Sequence, residues 1–386
     1  MSDQISIDKH YSLMSQTICI VSPFAYGAMT GDTKFHIGGV ETQTALLAKW
    51  LAANTRHKVS IVTWNENTPD DEFIDGVQII KLCRRSDGFP VIRFFHPRWS
   101  SLISALKHAD ADIYYQNCAE YVTGQVSLFC KLNHRKFVYS VASDPDCDPK
   151  LPTLRTIREK ILYRYGLKNA DSIIVQTLYQ QEMLKSGFGL DSTPLPMPCV
   201  SPNSNFTQAK HLHDGNFRVL WVGRIASVKR AEILMEIARN AKDISFEVVG
   251  GLDQERDYYD SILESSKNLP NVVMHGKLNR QQVNELYSTV SVFCNTSLYE
   301  GFPNTFLEAW SHGLPVVSTI NPDELITQNN IGLNAKTTED YIQAFYKLKN
   351  DYDYWHELSN NSHEYYLKNH AIDNSMKRFL DVFESL

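Results

Sequence analysis

The sequence predicts an α/β protein built from two Rossmann-like, doubly wound parallel-sheet domains. Three observations predict it. Short β-branched runs alternate with helix-length amphipathic segments along the chain. The runs are continuously apolar rather than alternating, as strands buried on both faces are. A proline-rich break near residue 200 divides them into two series. The 386 residues suit two or three domains at roughly 100–200 residues each. With 43% apolar and 21% charged residues, disorder and fibrous rods are excluded.

The first series of expected strands is Ile18–Ser22, Lys58–Thr63, Val77–Lys81, Ile113–Gln116, Phe137–Val141 and Ser172–Gln176. The second is Phe217–Val222, Ser245–Val249, Val272–Met274, Val290–Asn295 and Pro315–Ser318. Helices between parallel strands demand right-handed crossovers, so each series becomes an open sheet. The stretch STPLPMPCVSPNSN carries Pro194, Pro196, Pro198 and Pro202, too many for a helix or an inner strand. Polar TQAKHLHDGN follows, which places a linker at about 200–216. The expected division is 1–200, 201–369 and a final helical piece, 370–386, within a tail (340–386) rich in Tyr, Phe and Trp.

Open parallel sheets bind ligands beyond the carboxyl ends of their strands, and two such domains facing each other would form one deep cleft. Four motifs sit at strand-to-helix turns. In HIGGVETQTALLAKWLAAN, Gly38 and Gly39 open a helix with Leu47 and Leu51 on one face. Paired glycines there either make a plain turn or let helix N–H groups meet an anion. In VLWVGRIASVKRAEIL, Gly223 turns the chain after a buried strand, and Arg224 and Lys229 bracket the loop that follows. Such cations are solvated or clamp a diphosphate, Arg by forking two oxygens and Lys as a point charge. In VVGGLDQERD, Gly250 and Gly251 follow a strand without the G-x-G-x-x-G spacing of a dinucleotide site. In LYEGFPNTFLEAWSHGLPVVS, a loop bears Glu300 and a helix from about Pro303 to His312 bears Glu308, with Gly313 as its stop. The N–H groups near Asn304 and Thr305 suit phosphate, and the two carboxylates can accept from two different hydroxyl groups of one ligand.

The net charge of -6 argues against binding nucleic acid through general basicity. Residues 1–200 hold 21 basic and 20 acidic side chains, and 201–386 hold 17 and 24. The seven cysteines (Cys19, Cys83, Cys118, Cys130, Cys147, Cys199, Cys294) form no C-x-x-C pair. They read as small core residues of a reducing compartment. The opening MSDQISIDKHYSLMSQ has no signal-like apolar run, and no stretch approaches the ~20 apolar residues of a membrane span. A cytoplasmic protein is expected.

GGVE, VGRIASVKR and EGFPNTFLEA, in this order and spacing, resemble the retaining glycosyltransferases of family 4, which have the GT-B architecture of two facing Rossmann-like domains. The resemblance covers nearly the whole chain. It implies an N-terminal acceptor-side domain, a C-terminal nucleotide-sugar domain and a last helix returning to the first. It further implies transfer of a hexose-type sugar from a UDP- or GDP-linked donor to a glycan, lipid-linked or other hydroxyl acceptor, with retained anomeric configuration and no metal or cofactor. Arg224 and Lys229 match the pair that holds the donor diphosphate, Glu308 the ligand of the ribose, and Glu300 the carboxylate over the donor sugar. Phe302, Asn304 and Thr305 would close on phosphates or sugar, Gly38 and Gly39 would approach the diphosphate, and Gly223 and Gly250 would line the donor. Gly276, Lys277 and Leu278 resemble the nucleobase edge. A hydrolase or epimerase on the same architecture, or a non-catalytic partner subunit, are the rival readings.

One departure stands out. Where many members carry a histidine, FVYSVASDPDCDP offers Asp144, Asp146 and Asp148, so Asp144 becomes the acceptor-side candidate. D-P-D also matches a metal-binding signature of another fold, though proline and aspartate are ordinary loop formers. Finally, LPTLRTIREKILYRYGLK (151–168) reads as a basic amphipathic helix. It either packs its stripe of Leu154, Ile157, Ile161, Leu162 and Tyr165 on the sheet or rests on anionic lipid at the inner face of a membrane.

Overall fold

The computed structural model describes residues 15–32, 34–68, 72–200, 217–252 and 255–386. The opening segment 1–14 and the linker expected at 200–216, from residue 201 onward, lie outside them. By contact, the chain divides into two units. One comprises Met1–Val175, Met183–Thr193 and Met376–Leu386; the other comprises Gln176–Glu182 and Pro194–Ser375.

The first unit is organised by a sheet of β1 (Thr17–Val21), β2 (Lys58–Thr63), β3 (Glu72–Ile74), β4 (Val77–Lys81), β5 (Ile113–Asn117), β6 (Lys136–Ser140), β7 (Ser172–Val175) and β8 (Thr193–Pro194). In space the order is β3-β4-β2-β1-β5-β6-β7-β8. The pairings among β4, β2, β1, β5, β6 and β7 are all parallel. TICIV makes the centre because Ile18, Cys19, Ile20 and Val21 are all fully buried, as a strand covered on both faces requires.

The second unit carries β9 (Arg218–Val222), β10 (Ser245–Val249), β11 (Val272–Gly276), β12 (Val292–Asn295), β13 (Val316–Ser318) and β14 (Gly332–Asn334). Their order is β11-β10-β9-β12-β13-β14, parallel throughout. In both sheets the chain winds outward from a central strand and then resumes on its other side. The order therefore reverses between β1 and β5, and again between β9 and β12. A doubly wound sheet opens its ligand crevice at such a reversal.

The expected uniform parallel series needs correcting at its margins. β3 runs antiparallel to β4, and β8 and β14 were not foreseen. The basic helix is shorter than 151–168, spanning Ile157–Lys168 behind a Thr156–Glu159 capping box. It buries Tyr163, Gly166 and Leu167; of the stripe expected to pack, Leu154 is buried ahead of the helix, Leu162 and Tyr165 are partly buried, and Ile157 and Ile161 are exposed. All seven cysteines are free, and burial pushes the Cys19 thiol up to about 12. Among the described residues no helix is long and apolar enough to cross a membrane.

Candidate active site

The turns that follow β9, β10 and β11 are stitched together through their backbones. Gly223 N donates to Val249 O at 3.0 Å, Ile225 N to Gly251 O at 3.1 Å, and Gly250 N to Gly276 O at 2.9 Å. A Cβ at position 250 would stand 2.1 Å from Gly223 O, so this glycine is dictated by backbone packing. Gly276 adopts φ +67 and turns the chain toward Lys277 and Leu278.

Beyond Gly223 the side chain of Arg224 is exposed, and a 3-10 turn, Ser227–Lys229, leads to the helix Ala231–Asn240. Hydrogen bonds lock this loop to the one after β12. Trp221 Nε1 donates to Thr296 Oγ1 at 3.1 Å, and that hydroxyl donates to Lys229 O at 2.7 Å. Arg230 Nε donates to Thr296 O at 2.8 Å, and Leu298 N to Val228 O at 2.8 Å. The two loops at the β9/β12 reversal are thereby held in register. Across them the Lys229 ammonium pairs with the Glu300 carboxylate, and Ser297 Oγ donates to Glu300 Oε1 at 2.6 Å.

Pro303 opens the helix Asn304–Ser311, and no side chain caps its N-terminus. Gly313, at φ +65, ends it. Phe302 is buried, and its N–H donates to Gln176 Oε1 at 2.8 Å. Glu308 faces two partners: Arg280 Nη1 lies 2.8 Å from Oε1, and the Tyr287 hydroxyl donates to Oε2 at 3.0 Å. The Glu308 charge raises the Arg280 guanidinium still further, while burial and that same charge push the Tyr287 phenol well above its usual range. His312 stacks on Tyr287 with centroids 5.2 Å apart, and burial lowers its imidazole.

The remaining predicted residues lie in the first unit. Gly38 is the extended N-cap of the helix Gly39–Asn54 that follows β1. Asp144 starts a 3-10 turn, Asp144–Cys147, after β6. Its neighbour Asp146 is buried and accepts from Ala142 N at 3.1 Å, Ser143 N at 3.2 Å and Ser143 Oγ at 3.1 Å. Burial raises that carboxyl to about 6. The second aspartate of D-P-D thus folds its own loop. Glu120, which follows β5, is raised to about 7 by burial, with the Glu41 and Asp146 charges adding to the effect.

The structure thus joins Lys229 to Glu300, sets Gly223, Gly250 and the 276–278 turn side by side, and places Glu308 on the helix Asn304–Ser311. Gly38, Gly39 and Asp144 belong to the other unit. Sequence reasoning missed Arg280, Tyr287, Arg230 and Thr296. Arg280, Tyr287 and Thr296 stand in no motif, Arg230 lies in VGRIASVKR with nothing to mark its partner, and a lone arginine at a helix start carries no signal of its own.

Two family models match the chain: Glycosyltransferase Family 4 over residues 37–196, and Glycosyl transferases group 1 over residues 216–351. An uncharacterized glycosyltransferase of Methanocaldococcus jannaschii, MJ1607, is 26% identical over 190 residues, which are 47% of this chain and 48% of that protein. The amylovoran biosynthesis glycosyltransferase AmsD of Erwinia amylovora is 25% identical over 196 residues, 47% of this chain and 53% of its own length. The matches thus span about half the length of these relatives. The Anabaena protein HepE, solved with UDP and glucose, superposes at TM-score 0.75 with 15% identity, covering 96% of this chain and all of its own. That likeness is one of fold: two parallel-sheet Rossmann-like domains.

Proposed function

We propose that this chain, a glycosyltransferase of the family-4 type by both of its matched halves, transfers a hexose-type sugar from a nucleoside-diphosphate sugar to a hydroxyl acceptor with retention of configuration. One observation carries the reading: the Lys229–Glu300 pair at the β9/β12 reversal, on the loop that also bears Arg224. As the bond between sugar and diphosphate breaks, the departing phosphate gains negative charge. Arg224, Lys229 and the N-terminus of the helix Asn304–Ser311 meet that charge most strongly in the transition state, which is catalysis rather than binding alone. Lys229 exchanges Glu300 for phosphate, and Glu300, still held by Ser297, takes sugar hydroxyls in place of the ammonium. Glu308, oriented by Arg280 and Tyr287, accepts from the ribose hydroxyls. The turn at 276–278 borders the base.

In the reading that family resemblance supports, the acceptor hydroxyl attacks the face the phosphate leaves, and the phosphate takes its proton. Asp144 is assigned to the acceptor side and Gly39 to the diphosphate. The cations named are this chain's own, and no metal is assigned. HepE, solved with UDP and glucose, supports a UDP-linked hexose. The role of AmsD in amylovoran biosynthesis supports a growing glycan as acceptor.

The test is a thermal-shift panel of UDP- and GDP-linked hexoses, followed by NMR of the product anomer. A donor at 100 times its Kd adds about 2.7 kcal/mol to apparent stability. A cognate donor that raises Tm and yields a retained linkage is expected. Absence of any shift and any donor consumption, or an inverted linkage, would overturn the corresponding part.

A further inference from the structure

Helix Ile157–Lys168 packs against helix Tyr121–Leu132 through glycines. A Cβ at position 124 would lie 2.2 Å from Leu162 O, and one at position 166 would lie 2.8 Å from Thr123 C. This close crossing fixes the helix with Tyr163, Gly166 and Leu167 inward, and it leaves Ile157 and Ile161 facing solvent. Beside it, Arg158 stacks 3.8 Å from the Phe94 ring centroid, so the segment around Phe94 is contiguous with the helix. That segment exposes Phe89, Val91, Ile92 and Phe95, each by more than half and Val91 by 90%. Six large exposed apolar side chains therefore stand on two neighbouring segments of the first unit.

The same two stretches, 84–98 and 150–168, hold ten Lys and Arg side chains against only Asp87 and Glu159. Both carboxylates accept backbone N–H groups: Asp87 from Arg84, and Glu159 from Arg155 and Thr156. In a chain of net charge -6 this is a strong local excess. Protein–protein interface cores are depleted of Lys but enriched in Arg, so the telling feature here is apolar tips set among ten cations, Lys150, Lys160 and Lys168 included, with only two carboxylates. Such a set fits the headgroup region of an anionic bilayer, where apolar groups enter the acyl boundary and cations meet phosphate.

We infer that the face formed by 84–98 and 150–168 docks the first unit onto an anionic lipid surface. The two exposed isoleucines and the Phe89–Phe95 segment insert, and the surrounding cations supply the attraction.

The test is co-sedimentation of the full chain, without donor, with vesicles of phosphatidylcholine alone and of phosphatidylcholine with about a third phosphatidylglycerol. Binding to the anionic vesicles only, weakening with added salt, is expected. The triple variant Phe89→Ser/Val91→Ser/Phe95→Ser and the double variant Ile157→Ser/Ile161→Ser should each lose on the order of tenfold or more in vesicle affinity. Arg93→Gln and Arg155→Gln should each lose on the order of fivefold. Unchanged urea midpoints show that these surface variants fold. Equal binding to neutral vesicles, no binding to either, or wild-type binding by the serine variants would overturn the inference. So would sedimentation equilibrium that finds a dimer abolished by the same variants, which would give the face to a second copy of the chain.

Discussion

Replacing Lys229 by methionine separates the two jobs assigned to that ammonium. In the free protein it neutralises Glu300, and the two side chains are 21% and 16% exposed. Solvent-exposed pairs contribute about 0–1 kcal/mol, whereas stripping one partner from a fully buried pair costs about 3–5 kcal/mol. Burial that is large but incomplete, with Ser297 still donating to Glu300, places Lys229→Met at about 1–2 kcal/mol of lost stability. Adding Glu300→Gln removes the stranded charge and should recover most of that loss. Turnover should behave otherwise, because a cation facing the departing phosphate is worth about 10²–10³ in kcat and no change at Glu300 restores it. The assay is urea denaturation of both single variants and the double variant, alongside nucleotide release from the cognate donor with acceptor present. A folded Lys229→Met enzyme retaining kcat within about tenfold of the parent would refute the phosphate role. A double variant no more stable than Lys229→Met would refute the pairing.

Two further outcomes follow from packing and burial. Gly250→Ala drives a Cβ to 2.1 Å from a backbone oxygen that cannot move aside and should cost about 3 kcal/mol, whereas Gly251→Ala meets only the Lys277 side chain at 3.3 Å and should cost about 1 kcal/mol or less; equal urea midpoints for the two would contradict this. Glu120, raised from 4.5 to about 7, holds its proton more tightly folded than unfolded. Its burial therefore costs nothing below pH 4.5, and the penalty grows as pH rises toward about 7, reaching about 3 kcal/mol at 1.36 kcal/mol per pH unit. Glu120→Gln should flatten the fall in stability between about pH 5 and 8, and denaturation series at several pH values showing an unchanged slope would disprove it.

The fold was legible where burial is two-sided. Runs such as TICIV and KVSIVT cannot be amphipathic helices of useful length, and their spacing leaves room for crossover helices. β3 and β14 escaped notice because EFI and GLN are three residues long, and Phe73 at the edge is exposed. The candidates Arg224, Lys229, Glu300 and Glu308 could be picked out because each lies in a motif that follows a strand end. Their partners could not: Arg280 lies 28 positions before Glu308 on a separate helix. The basic helix shows the same limit. Its apolar residues occupy more than one face, and only the glycine contact at 124 and 166 decides which one is buried.

The path of the chain between the units bears on its synthesis. After Val175 it visits the second unit, comes back for Met183–Thr193, leaves at Pro194, and rejoins the first only at Met376. Met376, Phe379, Leu380 and Phe383 are buried there, and the Phe383 ring lies 6.0 Å from that of Tyr115. On the ribosome, then, the lobe translated first is completed last. Its oily seat around Tyr115 stays wet, and open to chaperones or to misassociation, until residues 376–386 emerge.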